Sequence, residues 1–383
     1  MDKIIVVFGM FTYDEYELGI SNTNSHIYNW LKSENPQTTI IFADFNRFGL
    51  INKLKYFVKH VLKKQKNEVV SSSLLFKLIK INDKNLVYKG ICYNKLFRYI
   101  NKSEYKNVEI WCFNPFIKKY DVQKNIIKYF YTIDDWKENK VFKKYSEFLK
   151  KRYQTIPNQS KIIFINNQSL KEKLYDHQKN IYFIPNGVDA EYYKNFDQTS
   201  EEIKKEINNK IGSETYPIIG YMGVISTDRV NFELCEYLIK SNPNFLFIFA
   251  GPVLAGFDSS LLMSKYKNVK FIGTVYYQQL PYLFSKYNVC IIPHKLSEFV
   301  QSMDPKKLYE YLAAGKPIVT TPVSGTEKFQ DSIYIANSNK EFSHYIQTAI
   351  DENDDQKIKY RQLRVAKYDW KYRFDEIKSI ISI

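Results

Sequence analysis

The chain has 383 residues, which is long for one hydrophobic core and suits two domains of ordinary size. A hydrophobic fraction of 44% argues against disorder on a large scale, and a formal net charge of +15 indicates an anionic partner or surface. No apolar run approaches the roughly 18 residues of a membrane-spanning helix, and we expect neither such a helix nor a signal peptide. The four cysteines, which show no paired metal spacing, are predicted to be reduced, buried, cytosolic thiols: Cys92, Cys112, Cys235 and Cys290.

The first half of the chain has an alternating α/β pattern. It opens with a β-branched run at residues 3–9 that ends in glycine, as buried parallel strands often do. Helix-length segments separate most of the later strand candidates. These candidates are residues 39–43, 108–113, 127–133, 161–166 and 181–184.

The densest basic stretch of the chain begins at Lys53 and ends at Lys66. At helical spacing its apolar residues form one stripe and its lysines fill the remainder. The stripe consists of Leu54, Phe57, Val58, Val61 and Leu62. Such a helix can lie on an anionic membrane, or it can pack the stripe on its own domain with the lysines in water.

A charged segment at residues 197–214 separates this pattern from a second one. The strand candidates of the second series are residues 217–222, 245–250, 269–272, 289–292, 318–321 and 333–336, with helices at 232–240 and 280–286 among them. A final helix is predicted from about residue 368. Two Rossmann-like halves result, and ligands bind beyond the carboxyl ends of the strands in such sheets.

Residues 304–317 are predicted to form a helix, because residues typical of a helix start and of a helix end flank it. Asp304 is a good N-cap, Pro305 suits the first helical position, and Gly315 suits the left-handed position after the end. A helix N-terminus attracts anions, and Lys306 and Lys307 in its first turn add positive charge. Spacing alone leaves open whether this is a phosphate site or an ordinary helix with solvated charges.

The segment PKKLYEYLAAGKP at residues 305–317 resembles the donor-binding helix of GT-B glycosyltransferases, in particular the family 4-like enzymes of bacterial polysaccharide synthesis. Three further segments follow the family's order: IPNGVD at 184–189, GYMG at 220–223, and VKFIGTV at 269–275. The third is followed by LP at 280–281 and IIP at 291–293. In the first half of the chain, the one segment that resembles a motif of the family is YTIDDW at 131–136.

The resemblance implies two Rossmann-like domains of the GT-B fold that face each other across a cleft. We expect residues 1–195 to bind the acceptor and residues 196–360 to bind the donor. Residues 361–383 would form a helix that returns to the first domain. The absence of a Gly-x-Gly-x-x-Gly motif argues against a nicotinamide dehydrogenase.

The resemblance also assigns donor-binding residues. Glu310 would accept hydrogen bonds from the ribose, Gly273 and Tyr276 would border the base, and His294 would line the donor side. A GT-B enzyme usually holds the diphosphate without a metal, and we expect no metal and no cofactor here. The groups expected at the diphosphate are Gly223, Arg229, Lys306, Lys307 and the backbone of Ser302 and Met303.

Retaining relatives carry a second glutamate eight residues before the position of Glu310, where this chain has Ser302. That departure favours an inverting mechanism like that of the xanthan-type glucuronosyltransferases, which needs one carboxylate base. Asp134 and Asp135 are the candidates, one as the base and the other as a helix cap, and the sequence leaves open which is which. His26 is the rival base.

The expected function is therefore transfer of a sugar from a nucleotide sugar, with UDP as the nucleotide, to a glycan or lipid-linked acceptor in bacterial surface glycan synthesis. The enzyme would be cytoplasmic and bound peripherally to the inner face of the membrane through residues 53–66. Two alternatives remain: a nucleotide-sugar 2-epimerase of the same fold, and a basic nucleic-acid-binding protein. Dispersed lysines and the absence of a nucleic-acid motif argue against the second alternative, and we expect no nucleic-acid partner.

Overall fold

The structure is a computed structural model that describes residues 2–20, 22–45, 55–61, 67–176, 178–212, 216–254, 256–351 and 354–382. Its contacts divide the chain into two compact units. The first unit contains Met1–Ile133 and Lys144–Phe183, and the second contains Asp134–Lys143 and Ile184–Ile383. The short segment that carries Asp134 and Asp135 thus groups with the second unit. The predicted return of residues 361–383 to the first domain stays a prediction.

The first unit is built on a nine-stranded sheet with the order β3-β4-β5-β2-β1-β6-β7-β8-β9. The strands from β5 to β9 in that order are parallel, and the central ones are buried apolar runs, as expected for a sheet covered on both faces. The strands are β1 (Lys3–Phe8), β2 (Thr39–Ala43), β3 (Val69–Ser73), β4 (Phe76–Asn82), β5 (Asn85–Gly90), β6 (Asn107–Cys112), β7 (Asn125–Thr132), β8 (Ile162–Ile165) and β9 (Ile181–Phe183).

The antiparallel meander β3-β4-β5 was absent from the predicted elements. β4 and β5 form a hairpin whose closing pair is Asn82 and Asn85. The side chain of Asn82 accepts hydrogen bonds from the N–H groups of Lys84 (3.0 Å) and Asn85 (2.9 Å), which is how asparagine initiates a tight turn. Because β3 is a largely exposed, serine-rich strand, it has no apolar alternation by which the sequence could reveal it.

Helices connect the strands of the first unit. They are Tyr13–Glu17, Thr23–Glu34, Asn94–Lys102, Ser146–Gln159 and Ser169–Leu174, with a π-helical turn at Phe57–Val61 and a 3-10 helix at Lys140–Tyr145. Of the predicted amphipathic stripe, Val61 is buried and Val58 is 57% exposed. Leu54 and Leu62 lie outside the described residues, as do the lysines at both ends of the basic stretch.

The second unit is built on a six-stranded parallel sheet with the order β12-β11-β10-β13-β14-β15. All six strands were predicted within two residues of their bounds. They are β10 (Ile218–Met222), β11 (Leu246–Ala250), β12 (Val269–Gly273), β13 (Val289–Ile292), β14 (Ile318–Thr320) and β15 (Tyr334–Ile335).

Alternate residues of these strands enter two different hydrophobic cores. Ile218 and Leu246 face one core, whereas Ile219 and Phe247 face the other. The helices divide between the cores, so both faces of the sheet are covered, as the predicted doubly wound α/β class requires. The helices are Ala190–Lys194, Glu201–Ile211, Phe232–Ser241, Ser259–Lys265, Leu280–Lys286, Glu298–Gln301, Lys306–Ala313, Asn339–Asp351, Asp355–Ala366 and Trp370–Ile381.

Two expectations about the whole chain are met in part. Cys112, Cys235 and Cys290 are buried as predicted, but Cys92 is only half-buried because it follows β5 in a loop. Within the residues that the structure describes, none of the helices has the length and apolarity needed to cross a bilayer.

Candidate active site

The carboxyl ends of β10, β11 and β12 approach one another through glycines. Gly223 (φ +139°) donates to the carbonyl of Ala250 (2.9 Å), and Gly251 (φ +138°) donates to the carbonyl of Gly273 (2.7 Å). A Cβ atom on Gly251 would lie 2.0 Å from the carbonyl oxygen of Gly223. Because no side chain fits between these backbones, the glycines form a bare ledge at the edge where Rossmann-like sheets bind ligands.

The helix Lys306–Ala313 begins beside this ledge and ends as predicted. Gly315 is left-handed (φ +70°), and its N–H group donates to the carbonyl of Leu312 (2.9 Å). Lys316 donates to the carbonyl of Tyr311 (2.9 Å). Together these bonds make a Schellman motif, which satisfies the last carbonyls of the helix.

The predicted N-cap at the start of this helix is wrong. Pro305 occupies the cap position and no side chain caps the helix. Asp304 is instead buried: it accepts from the N–H group of Asn186 (2.8 Å) and the hydroxyl of Tyr309 (2.8 Å), and it pairs with Lys328 (3.3 Å). Burial raises the pKa of Asp304 despite these partners. The carboxylate is drawn inward because donors from two distant segments, at Asn186 and Lys328, meet Tyr309 of the following helix there, a convergence that sequence spacing cannot reveal.

Lys307 and His294 meet behind the glycine ledge. The ammonium group of Lys307 lies 2.9 Å from the hydroxyl of Tyr221 and 3.1 Å from Nε2 of His294. A Cβ atom on Gly223 would lie 2.8 Å from that ammonium group, so the glycine allows the lysine to reach the ledge. Burial lowers the pKa of Lys307 well below its ordinary value, and the positive charge of Arg229 lowers it further.

Arg229 completes this basic cluster. It follows the Gly223 loop, and its guanidinium group lies over the ring of Phe299 with a centroid distance of 5.3 Å. A short antiparallel bridge between Val230 and His294 joins the two loops, since Lys295 donates to the carbonyl of Arg229 (2.8 Å). Two basic side chains and a buried histidine thus lie within electrostatic range of one another, an arrangement that an anion would stabilise.

Glu310 lies one turn along the helix and is buried, with 3% of its surface exposed. It accepts a hydrogen bond from the hydroxyl of Tyr193 (3.0 Å) and pairs with Lys306 (3.0 Å). The ion pair with Lys306 is an ordinary i, i+4 pair along the helix. The contact with Tyr193 was not foreseen, and it restrains the glutamate.

The aromatic group beside Glu310 includes Tyr277 rather than the predicted Tyr276. Tyr277 stacks on Tyr192 (4.4 Å between centroids, 9° between planes) and meets Tyr193 edge-on (6.0 Å). Tyr276 occupies the N-cap position of a short 3-10 helix at Tyr277–Gln279, and its backbone N–H group donates to the side-chain oxygen of Gln279 (2.9 Å). Tyr192 and Tyr193 were not predicted, although their position just after the IPNGVD segment, in the short helix Ala190–Lys194, could have indicated them.

Asp134 and Asp135 occupy different environments. Asp135 is fully buried: its carboxylate accepts from the N–H group of Lys137 (3.3 Å) and pairs with the Lys137 ammonium (2.9 Å). Asp134 is half-buried, and burial raises its pKa to about 7 against the opposing charge of Arg229. Asp135 thus has the structural role, and Asp134 is the half-buried member of the pair whose pKa lies near neutrality.

Ser302 supports Asp135 instead of presenting its backbone to a ligand. Its hydroxyl donates to the carbonyl of Phe299 (2.7 Å) and accepts from the N–H group of Asp135 (3.2 Å). The N–H groups of Ser302 and Met303, predicted to bind the diphosphate, already donate to carbonyls at the end of the helix Glu298–Gln301. In this structure they are therefore committed to the helix end, and side chains carry the anion-binding capacity.

The remaining predicted residues are placed as follows. His26 lies half-buried on the helix Thr23–Glu34 of the first unit, while Asp134 belongs to the second. Gly273 ends β12 with φ +73° and open space where a Cβ would point. Over the described ranges no three His, Cys, Asp or Glu side chains cluster closely enough to hold a metal ion. The predicted metal independence stays a prediction.

Residues 217–352, which contain the ledge and the basic cluster, match the family model described as glycosyl transferases group 1. This match lies within the second unit. A putative teichuronic acid biosynthesis glycosyltransferase of Bacillus subtilis is 24% identical over 223 residues, which are 57% of this chain and 54% of that protein. The match thus spans about half the length of that relative.

Solved structures resemble this chain over nearly its whole length. Anabaena HepE, solved in complex with UDP and glucose, has a TM-score of 0.65 at 15% identity and covers 99% of each chain. The sucrose-phosphate synthase of Thermosynechococcus elongatus has a TM-score of 0.69 at 12% identity, covering 100% of this chain and 98% of its own. The GT-B fold and the resemblance to glycosyltransferases of bacterial polysaccharide synthesis are confirmed.

Proposed function

We propose that this chain is a glycosyltransferase that moves a sugar from a UDP-sugar to a lipid-linked or polysaccharide acceptor in bacterial surface glycan synthesis. The observation that carries the proposal is the side chain of Lys307 at the Gly223 ledge, with Arg229 close enough for its charge to act on Lys307. Glu310 lies one helical turn beyond, where it can accept from ribose hydroxyls. Support comes from the UDP complex of the Anabaena neighbour and from the teichuronic acid biosynthesis in the name of the Bacillus relative.

The diphosphate would bind where positive charge is already concentrated. Lys307 and Arg229 would contact its oxygens, and the bare backbone at Gly223 and Gly251 would allow close approach. These groups stabilise the charge that develops on the leaving diphosphate, the role that a metal ion has in other transferases. The transfer is therefore proposed to be metal-independent.

Asp134 is the proposed general base of an inverting transfer. The acceptor hydroxyl would lose its proton to Asp134 while its oxygen bonds to the anomeric carbon opposite the diphosphate. The bond between that carbon and the phosphate oxygen breaks, and its electron pair leaves with UDP. A carboxyl group with a pKa near 7 suits this role because it is a stronger base than an ordinary aspartate yet is ionised at neutral pH.

Nucleotide binding is the first test, because a ligand that binds only the folded state raises its melting temperature. UDP should give the largest shift among nucleoside diphosphates, and Lys307→Met should reduce that shift strongly. The exposed Lys240→Met is the matched control and should leave it unchanged. Equal shifts for GDP and UDP would contradict the choice of base, and absence of any nucleotide response would contradict the function.

Product analysis separates the competing enzyme classes. A UDP-sugar incubated alone should remain intact, since transfer needs an acceptor, whereas an epimerase would convert it. Steep, salt-dependent binding of arbitrary DNA without a nucleotide response would favour a nucleic-acid-binding protein instead.

The proposed location is the inner face of the cell membrane, through the basic stretch at residues 53–66. Each basic residue near an anionic surface contributes about 1 kcal/mol. Changing Lys59, Lys63 and Lys64 to Glu should abolish co-sedimentation with anionic vesicles at moderate salt. The control triple change of the exposed Lys240, Lys267 and Lys371 to Glu alters net charge equally and should leave binding intact. Failure of the unmodified chain to co-sediment would refute membrane association.

A further inference from the structure

His294 and Lys307 are paired in a way that restricts where protons can lie. Their nitrogen atoms are 3.1 Å apart, so one must donate and the other must accept. The hydroxyl of Tyr221 donates to the carbonyl of Val224 (3.0 Å) and leaves its oxygen to accept from Lys307. We assign Lys307 as the donor in both contacts because an amine is ordinarily a stronger base than an imidazole, and Nε2 of His294 then accepts with its lone pair.

The surroundings favour a neutral imidazole. His294 is 2% exposed, and Lys307 and Arg229 are the charged groups that most oppose its protonation. Burial and these two charges lower the pKa of His294 well below its ordinary value. The other titratable groups around the cluster, on the elements that carry Lys307, Tyr221 and Arg229, are Glu310, Asp228 and Asp134.

We propose, on the basis of the proposed donor site, that diphosphate binding draws Lys307 away from His294, and that His294 then takes up a proton and becomes a further cation on the diphosphate. The proton comes from solvent and binds Nε2, and no covalent bond to the nucleotide forms. His294 would thereby compensate part of the charge that UDP gains when the sugar leaves.

Two physical facts support the exchange. A diphosphate oxygen is a stronger acceptor for an ammonium donor than a neutral imidazole, because both partners are then charged. An opposite charge within about 4 to 6 Å raises a histidine pKa by roughly 1 to 3 units, which reverses the effect of the neighbouring cations. His294 therefore adjusts the charge of the site to the charge of the bound diphosphate.

Calorimetry of UDP binding at about pH 7.5 tests the proposal, since a terminal phosphate with a pKa of about 6 is then almost fully ionised. The binding enthalpy measured in buffers of different ionisation enthalpy gives the number of protons taken up. The unmodified chain should take up a measurable fraction of a proton per UDP, and this fraction should grow as the pH is lowered toward the ordinary histidine pKa of about 6.5. His294→Gln, whose amide oxygen can still accept from Lys307, should bind UDP with little or no uptake.

Two control variants separate the possible sources. The exposed His344→Gln should keep the full uptake. Asp134→Asn should also keep most of it, because Asp134 is the other group near the site that titrates close to neutrality. Uptake that survives in His294→Gln would overturn the inference, because the proton would then be bound by Asp134 or by Lys307, whose pKa is also lowered by burial. UDP binding by the unmodified chain with no uptake would overturn it as well. Absence of UDP binding would instead refute the proposed function.

Discussion

The hydroxyl of Tyr193 donates a 3.0 Å hydrogen bond to the buried carboxylate of Glu310. Tyr193 lies on the helix just after the IPNGVD segment, and Glu310 lies on the helix of the PKKLYEYLAAGKP segment. The helix that follows one of the resembling segments therefore meets another of these segments at one buried contact. Glu310 is fixed in position before any nucleotide arrives, which lowers the entropy cost of binding.

Glu310→Ala should weaken UDP binding and also destabilise the fold. The sequence alone suggested a partly exposed glutamate with little effect on stability, but truncation here leaves the buried hydroxyl of Tyr193 without its acceptor, at a cost of roughly 1 to 3 kcal/mol. Tyr193→Phe removes the same hydrogen bond while sparing the carboxylate, and should cost stability with a smaller loss of UDP affinity. Calorimetry and denaturant unfolding measure both effects. Equal UDP affinity in Glu310→Ala and the unmodified chain would refute the ribose contact.

Asp134→Asn and Asp135→Asn should have different effects. Asp134→Asn should lower turnover by roughly 10²- to 10⁴-fold with UDP affinity nearly unchanged, because it removes the base. Asp135→Asn should mainly lower stability, since it weakens the buried pair with Lys137.

In the unmodified enzyme kcat/KM should rise with pH through about 7 as Asp134 loses its proton. NMR should find the product anomer inverted, and near-normal rates in both variants would shift suspicion to His26.

Asp14→Ala should destabilise the first unit. Asp14 hydrogen-bonds to His60 (2.6 Å) and Lys89, whose side chains are 7% and 6% exposed. The loss should be roughly 2 to 3 kcal/mol, less than for a fully buried pair because Asp14 is 34% exposed. The surface pair Glu201 and Lys204 offers a control, and Glu201→Ala should leave the melting temperature unchanged.

The same contacts give a direction for acid unfolding. Hydrogen bonds to His60 and Lys89 hold the pKa of Asp14 well below its ordinary value. Its contribution to stability is therefore complete above the unfolded pKa of about 3.9 and is lost as the pH falls further. The free-energy difference between the unmodified chain and Asp14→Ala should shrink on acidification, and a difference that grows would contradict the assignment.

Gly251→Ala and Gly273→Ala compare crowding with backbone strain alone. A Cβ on Gly251 would lie 2.0 Å from the carbonyl oxygen of Gly223. A Cβ on Gly273 would have no heavy atom of the described residues within 4 Å. Gly273→Ala should cost about 1 to 2 kcal/mol from its positive φ. Gly251→Ala should cost more and should also weaken UDP binding, because it displaces the ledge. Thermal unfolding with and without UDP measures both, and equal effects of the two changes would refute the close approach.

The sequence by itself determined the α/β class, the strands of the second unit and the end of the donor helix. Each depends on local chemistry: apolar runs of strand length, and a glycine placed where the helix must turn left-handed, as at Gly315. The hairpin of β4 and β5 carried a local signal at Asn82 as well, but short polar strands obscured it.

Only the tertiary structure decided the roles of particular side chains. Asp304 is a buried acceptor rather than the expected cap because Asn186 and Lys328 reach it from separate segments and join Tyr309 of the following helix. Asp134 and Asp135 are identical in sequence chemistry, and burial with Lys137 distinguishes them. Local propensity depends on neighbours along the chain, whereas burial and charge depend on neighbours in space, so the fold was readable from the sequence and the protonation of the site was not.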